Sequence, residues 1–235
     1  ANGEVGASRY STTPVNFPSN ATLSLNIDAD VVNKDSNYDE KFWEEVYKEA
    51  SEGRALVTAQ TKKTFFHVTT GMTYSIVSNG KKVAFERVNI EQREKFAGNV
   101  IQLNLQEGKE VVIYKYAAIL SSENHPKDQL GAHCHKVLNY ATETGFDKLF
   151  EEHAKVWTHK WEECDITIEG DVAAQQGIRF NIFQLTQTYT GEDERLNIGP
   201  KGFTGEKYGG STYWDTEAYC IPFYLGTAEQ KVARN

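Results

Sequence analysis

A short aromatic and acidic motif at Tyr213–Glu217, with the sequence YWDTE, carries the side chains best suited to chemistry in this chain. The Trp214 indole offers a broad apolar face to the C–H face of a pyranose ring, and the Asp215 carboxylate can accept hydrogen bonds from two neighbouring hydroxyls. A structural interpretation competes with this one: Trp214 belongs to a core, and Asp215 is the N-cap of a helix that follows. The motif alone favours the structural interpretation, because a single Trp-Asp pair is weak evidence for a binding site.

Asp215 and Glu217 are also the residue types of a glycosidase carboxylate pair. Two residues apart at the start of a helix, their side chains should diverge, so we do not expect them to form a catalytic pair. Ion pairs that brace the surrounding loop are expected instead for three side chains: Arg195, Glu206 and Glu217. Two lysines of the same loop are expected to be solvated: Lys201 and Lys207.

The motif lies within a glycine-rich stretch, Gly191–Gly226, that is longer than an ordinary connection between helices. Its aromatic side chains argue against disorder, so a functional loop is expected. None of its glycine spacings matches the GxxxxGK[ST] phosphate loop, and we expect no nucleotide site. No metal site is expected elsewhere, because His133 and His135 are two residues apart and would point to different faces of a helix.

The elements that must position these residues begin with strands. Apolar and polar residues alternate over Leu23–Ile27, as in a sheet with one buried face. Asn79-Gly80 is a strong hairpin signal, and it predicts that Met72–Ser78 pairs with Lys81–Val88.

Two more strands, Val100–Leu105 and Val111–Ile119, are predicted on either side of a turn at Glu107–Lys109. Earlier in the chain, the segment Asn37–Tyr47 interrupts the predicted strands, and its aromatic residues are spaced for a helical turn or a docked loop. An antiparallel β-sandwich is the architecture that these segments favour.

From Ser122 onward the apolar spacing becomes that of helices. One amphipathic helix is predicted over Leu130–Ala141, with Gly145 at its end, and a second over Phe146–Trp161. Two consecutive helices therefore follow the sheet.

Asp171 is a good N-cap for a third helix, which Gly191 could close. Apolar residues spread around this helix, which predicts neighbours on several of its sides. Thr227 and Gln230 have the spacing of a capping box, so a last helix is expected to begin there.

Composition excludes several classes of protein. The 235 residues are 39% hydrophobic, enough for a folded core, and the formal net charge of −8 disfavours a nucleic-acid partner. No apolar run is long enough to cross a bilayer, so no membrane partner is expected. Three cysteines without a CxxC spacing indicate reduced thiols and a cytoplasmic location: Cys134, Cys164 and Cys220.

Three runs of sequence together resemble glycoside hydrolase family 65. They are SNYDEKFWEE at Ser36–Glu45, WTHKWEECDITIEGD at Trp157–Asp171, and the long run from Arg179 to Gly226 that contains the YWDTE motif. The resemblance implies an α+β multidomain chain: a β-sandwich at residues 1–121 that is truncated at its N-terminus, linker helices at 122–169, and the first helices of an (α/α)6 catalytic barrel at 170–235. The chain opens on Ala1 and its expected last helix is too short to be stable alone, so we expect a piece of a longer protein.

The resemblance implies phosphorolysis of a disaccharide, with maltose and inorganic phosphate giving β-glucose 1-phosphate and glucose. It places Trp214 and Asp215 in the glucose subsite, which reverses the preference drawn from the motif alone. The general-acid glutamate and the phosphate-binding residues are expected beyond Asn235, so no residue of this chain is expected to be catalytic. Phosphate is the co-substrate, no other cofactor or metal is expected, and the whole protein is expected to be a homodimer.

Other functions remain open at this point. Kojibiose and trehalose phosphorylases of the family tend to carry Gly-His before the aromatic-Trp-Asp motif, where this chain has Gly210–Tyr213, and that difference favours maltose. A non-catalytic carbohydrate-binding sandwich is one alternative. A structural sandwich that forms dimers through the segment around Trp43 and Tyr47 is another.

Overall fold

The computed structural model describes residues 3–32, 40–83, 88–199 and 211–234. The chain divides into two compact units, the first formed by residues 1–31 and 41–152 and the second by residues 32–40 and 153–235. None of the helices in the described ranges is both long enough and apolar enough to cross a membrane.

The first unit is built on two antiparallel sheets. Its strands within the described ranges are β1 (Val5–Thr12), β2 (Ser19–Asp28), β3 (Trp43–Ser51), β4 (Arg54–Thr61), β5 (His67–Ser78), β6 (Lys81–Lys82), β7 (Val88–Arg93), β8 (Phe96–Leu105) and β9 (Val111–Ser121). The larger sheet has the order β1-β9-β5-β4-β3, with β6 beside β5, and the smaller one has the order β2-β8-β7. The expected antiparallel β-sheet architecture is confirmed.

The core of this unit takes alternate residues from both sheets. Leu25 and Ile27 of β2 are buried while Ser24 is exposed, which confirms the predicted alternation. They pack in one cluster with Met72 and Ile76 of β5 and with Ile101 of β8. Period-two burial on facing strands is what allows the two sheets to share a core.

The predicted hairpin at Asn79-Gly80 is present, but its second strand is short. Both turn residues have positive φ, 50° and 73°, as a two-residue hairpin turn requires. β6 ends at Lys82, and Val88 instead opens β7, where it pairs with Ile101 of the other sheet. The predicted pairing is therefore confirmed at Lys81–Lys82 and wrong at Val88, and residues 84–87 of that prediction lie outside the described ranges.

The two strands predicted around Glu107–Lys109 are confirmed as β8 and β9, and Gly108 in the turn between them has a φ of 70°. They belong to different sheets. The prediction of a helical turn or docked loop is wrong for Trp43–Tyr47, because these residues pair with β4 as strand β3 and contain a bulge between Glu45 and Tyr47. Trp43 is half-buried against Phe42, with ring centroids 5.3 Å apart. Residues 37–39 of that prediction lie outside the described ranges.

Five α-helices follow in the described ranges: α1 (Leu130–Thr144), α2 (Phe146–Cys164), α3 (Val172–Thr188), α4 (Ile221–Thr227) and α5 (Gln230–Arg234). Helix α1 covers the larger sheet on the face opposite the sandwich core, where Leu130, Cys134 and Leu138 pack against Leu56 and Leu120. The first two predicted helices are thus confirmed, and Gly145 ends α1 with a φ of 79°.

The second unit contains the part of α2 from His153 onward and helices α3 to α5, around a small core. This core is formed by Tyr189, Ile198, Tyr224 and Val232. The predicted N-cap of α3 is confirmed, since the Asp171 carboxylate accepts a hydrogen bond from the Ala174 amide at 2.9 Å.

Two expectations for this unit are wrong. Helix α3 is largely exposed rather than covered on several sides: Val172 is 85% exposed and Phe180 is 60% exposed, because the described chain packs on only part of its surface. The expected capping box is absent as well. Thr227 is the last residue of α4, and its hydroxyl donates to the Phe223 carbonyl instead of capping α5.

Candidate functional site

The Trp-Asp motif lies on an exposed turn that leads into helix α4. Trp214 is 81% exposed, so the interpretation that places it in a core is wrong. Asp215 occupies the N-cap position of the turn that follows, but its side chain makes no capping hydrogen bond. Neither structural role is therefore seen among the described residues, in which both side chains are exposed together with the ring of Tyr213.

The turn that follows the motif is a single π-helical turn, Thr216–Cys220, in which the Ile221 amide donates to the Thr216 carbonyl. Two backbone hydrogen bonds extend this order back into the motif. The Ala218 amide donates to the Trp214 carbonyl at 3.1 Å, and the Thr216 amide donates to the Tyr213 carbonyl at 3.1 Å. Single π turns occur frequently at functional sites, because they change which side chains a helix turns outward.

Thr216 fixes this turn to the preceding segment. It is 7% exposed, and its hydroxyl donates to the Ile198 carbonyl at 2.9 Å. The Asn197 side-chain Nδ2 donates to the Thr212 hydroxyl at 2.7 Å. Sequence reasoning missed this pair of contacts, since nothing in the local pattern connects Asn197 and Ile198 with residues 15 and 18 positions later.

Helix α4 holds the turn against the rest of the second unit. The Tyr224 side chain is 2% exposed, and its hydroxyl donates to the Leu185 carbonyl of α3 at 2.7 Å. Its ring meets Tyr189 edge to face, with centroids 5.6 Å apart. Burial raises the pKa of the Tyr224 phenol well above its usual range, so this anchor stays protonated at physiological pH.

The charged side chains near the motif agree only partly with the prediction. Arg195 forms a two-pronged ion pair with Asp193, with Nε and Nη2 at 2.8 and 2.6 Å from its carboxylate oxygens. The guanidinium and the Arg195 amide hold the pKa of Asp193 at about 2. Arg195 therefore braces the loop as expected, through a partner that the sequence did not single out. Glu217 is exposed in the π-helical turn. Three other side chains named above lie outside the described residues: Lys201, Glu206 and Lys207.

The histidines near α1 take part in structural contacts. The Nε2 atom of His135 lies 2.5 Å from Glu49, and its Nδ1 atom lies 3.3 Å from Arg54. The ring of His133 packs at 4.8 Å from His125. His135 thus joins α1 to strands β3 and β4, whereas His133 packs on the segment that precedes α1.

One group in the second unit has a spacing compatible with a metal ion. Ligand atoms of His159, Glu163 and Glu229 lie within 4.8 Å of one another beside a cleft of about 190 Å³. All three residues are exposed, and Lys231 already pairs with Glu229 at 2.7 Å, so the group resembles ordinary surface ion pairing. Neither Trp214 nor Asp215 lines this cleft.

Comparison with protein families gives two matches in sequence order. Residues 1–160 match the N-terminal domain of glycosyl hydrolase family 65, and residues 179–235 match the central catalytic domain of the same family. The second match contains the whole Trp-Asp turn and its anchoring contacts.

Several curated relatives align with most of the chain. A maltose phosphorylase from Bacillus subtilis is 38% identical over 91% of the chain. A kojibiose phosphorylase from Caldanaerobacter subterraneus is 31% identical over 96% of it, and an α,α-trehalose phosphorylase from Thermoanaerobacter brockii is 28% identical over 95% of it. The chain spans less than a third of the length of each relative: 28%, 30% and 29% respectively.

A solved structure has the same fold. The protein, described as a kojibiose phosphorylase from the human microbiome, superposes with a TM-score of 0.83 at 27% sequence identity, over 97% of this chain and 29% of its own. The resemblance drawn from three runs of sequence is thereby confirmed, and the chain belongs to glycosyl hydrolase family 65.

Proposed function

We propose that this chain is part of an inverting maltose phosphorylase and that Trp214 and Asp215 contact the glucose unit that is transferred. The observation that carries the proposal is the exposed Trp214 indole next to an Asp215 carboxylate without a capping role, both on a turn fixed by buried contacts. An exposed aromatic face and a free acceptor group are what recognition of a pyranose needs.

The proposed reaction needs no nucleophilic side chain. A carboxylic acid protonates the glycosidic oxygen, while phosphate attacks the anomeric carbon from the opposite face and inverts its configuration. We assign the acid role to none of the carboxylates of this chain. Asp215 is proposed to orient the sugar through its hydroxyls, and Trp214 to cover one face of the ring.

Maltose is the substrate that the relatives favour. The maltose phosphorylase shares 38% identity with this chain, compared with 31% and 28% for the kojibiose and trehalose phosphorylases. The sequence before the motif also lacks the Gly-His pair expected of those two specificities. Kojibiose and trehalose remain the second and third candidates.

The proposed location is the cytoplasm. The support is chemical: Cys134, Cys164 and Cys220 are all free thiols, and burial raises the pKa of each. Unpaired thiols are typical of reducing compartments.

The proposal can be tested by titrating the chain with maltose, kojibiose and trehalose, using ligand-observed NMR. We expect maltose to bind most tightly and Trp214→Ala to abolish the signal. Phe180→Ala is the matched control, because it removes another exposed aromatic side chain of the same unit. Binding that survives Trp214→Ala would overturn the assignment.

A second measurement concerns turnover. We expect the 235 residues alone, incubated with maltose and phosphate, to release no glucose 1-phosphate above a protein-free blank. Robust release by the purified chain would contradict the proposal that the acid lies elsewhere.

A further inference from the structure

We propose that Thr216 is a positioning residue for the sugar-binding turn, acting through its hydrogen bond to the Ile198 carbonyl. The inference rests on the proposed function of Trp214 and Asp215, and it adds a residue that touches no sugar. Thr216 is the buried member of the π-helical turn, whereas Trp214 and Asp215 immediately before it are exposed.

Two hydrogen bonds hold this turn, one on each side of Tyr213–Asp215. The Asn197 side-chain amide donates to the Thr212 hydroxyl, just before Tyr213, and the Ile198 carbonyl accepts from the Thr216 hydroxyl, just after Asp215. Two adjacent residues thus hold both ends of Tyr213–Asp215. A turn held at both ends has few accessible conformations, so the indole and the carboxylate keep a fixed spacing before any sugar binds.

The Thr216 hydroxyl is the group whose removal breaks one of these two hydrogen bonds. Its partner is a backbone carbonyl, and Ile198 itself is buried in the core of the second unit. Replacing the hydroxyl by a methyl group leaves that carbonyl without its donor, although the side chain keeps its volume and β-branching. The change therefore removes the attachment with little change in packing.

The test compares Thr216→Val with Thr216→Ser. We expect Thr216→Val to raise the maltose Kd about tenfold and to accelerate amide hydrogen exchange at Thr216 and Ala218 by a similar factor, which corresponds to about 1.4 kcal/mol for a carbonyl that loses its donor. Thr216→Ser keeps the donor and should restore both quantities to within about threefold of the unmodified chain. Rescue of affinity and exchange by serine would show that the hydroxyl, and not the volume of the side chain, holds the turn.

Thr188→Val is the matched control, because its hydroxyl also donates to a backbone carbonyl at 2.7 Å but lies within α3. It should change neither readout. Wild-type affinity in Thr216→Val, or a serine variant as impaired as the valine variant, overturns the proposal.

Failure of the proposed function is distinguishable from failure of this inference. If the unmodified chain binds no maltose, the sugar assignment of Trp214 and Asp215 falls, and the exchange data decide the positioning role alone. Faster exchange in Thr216→Val that serine reverses supports it, and unchanged exchange overturns it. If Thr216→Val does not fold, Thr216→Ser is compared with Thr212→Val, which removes the hydrogen bond from Asn197. Unchanged exchange and affinity in Thr216→Ser, together with faster exchange and weaker affinity in Thr212→Val, would support the proposal. The opposite result would overturn it.

Discussion

Gly71 of β5 lies directly beneath Cys134 of α1, so closely that a Cβ atom at Gly71 would overlap the Cys134 sulfur. The same Cβ atom would lie 3.1 Å from the Leu138 side chain. Cys134 and Leu138 are both fully buried. The approach of α1 to the sheet therefore depends on the absence of a side chain at position 71 rather than on backbone conformation.

Gly71→Ala should lower the free energy of unfolding by about 1–3 kcal/mol, because overpacking forces the helix away from the sheet. Adding Cys134→Ala should recover part of this loss, since the sulfur is the atom that collides. Denaturant unfolding of the two single variants and the double variant gives the coupling energy. Gly131→Ala on the same helix has open space around it and should not destabilise the chain. Additive losses in the double variant would contradict the proposed collision.

Asn99 connects the two sheets through a buried polar network. Its Oδ1 atom accepts hydrogen bonds from the Tyr74 hydroxyl and the Gly53 amide, both at 2.8 Å, and its Nδ2 atom donates to the Ser51 carbonyl at 3.0 Å. The side chain is fully buried. The network therefore fixes the turn between β3 and β4 against strand β8.

Asn99→Leu should destabilise the chain by about 2–5 kcal/mol, because it removes three hydrogen bonds and leaves the buried Tyr74 hydroxyl without its acceptor. Tyr74→Phe removes a single donor and should cost about 1 kcal/mol. Tyr47→Phe is the control, since its hydroxyl bonds to Glu49 in an exposed position and its loss should change little. Thermal or denaturant unfolding measures all three. Equal losses for the two tyrosine variants would show that burial of the network is unimportant.

Stability should also fall at alkaline pH because of Tyr74. Burial raises the pKa of its phenol from 10.0 to about 12, so the folded state retains a proton that the unfolded state releases. The unfolded chain then binds fewer protons between these two values, and the free energy of unfolding decreases as the pH rises from about 10 to about 12. Unfolding midpoints measured from pH 8 to 12 should show a smaller decrease in Tyr74→Phe. Identical pH profiles would contradict a raised Tyr74 pKa.

Features set by neighbouring residues could be predicted from the sequence. The alternation of β2, the glycine that ends α1 and the Asp171 cap each depend on residues within a few positions, and each was confirmed. Their physical causes are local, because side-chain alternation, positive φ and capping act over one turn or one strand.

Features decided by distant partners could not be predicted in this way. Trp43–Tyr47 has helical spacing, but pairing with β4 provides backbone hydrogen bonds that outweigh local preference. β8 and β9 are adjacent in sequence and separate in the two sheets. At the candidate site, the motif was visible from residue types alone, whereas the exposure of Trp214 and the contact from Thr216 to Ile198 depend on the folded chain.

Two aspartates at the beginning of helical segments should respond differently to alanine. Asp171 accepts a hydrogen bond from the Ala174 amide, so Asp171→Ala should cost about 1 kcal/mol of stability. Asp171→Asn or Asp171→Ser should retain most of this contribution, because either side chain can accept the same bond. Helical circular dichroism followed through thermal unfolding measures the difference. Wild-type stability in Asp171→Ala would mean that the observed bond contributes nothing.

Asp215→Ala provides the contrasting result, because the Asp215 side chain makes no capping hydrogen bond. We expect its unfolding free energy to stay within about 0.5 kcal/mol of the unmodified chain, as for an ordinary surface substitution. Affinity for maltose should nevertheless fall by about 2–4 kcal/mol, since the sugar hydroxyls lose a charged acceptor when they are desolvated against Trp214. Glu217→Ala removes an exposed carboxylate two residues away and should leave affinity unchanged. Calorimetric titration beside thermal unfolding separates the two quantities. An Asp215→Ala variant that loses stability but keeps its affinity would assign this carboxylate to the fold instead of the sugar.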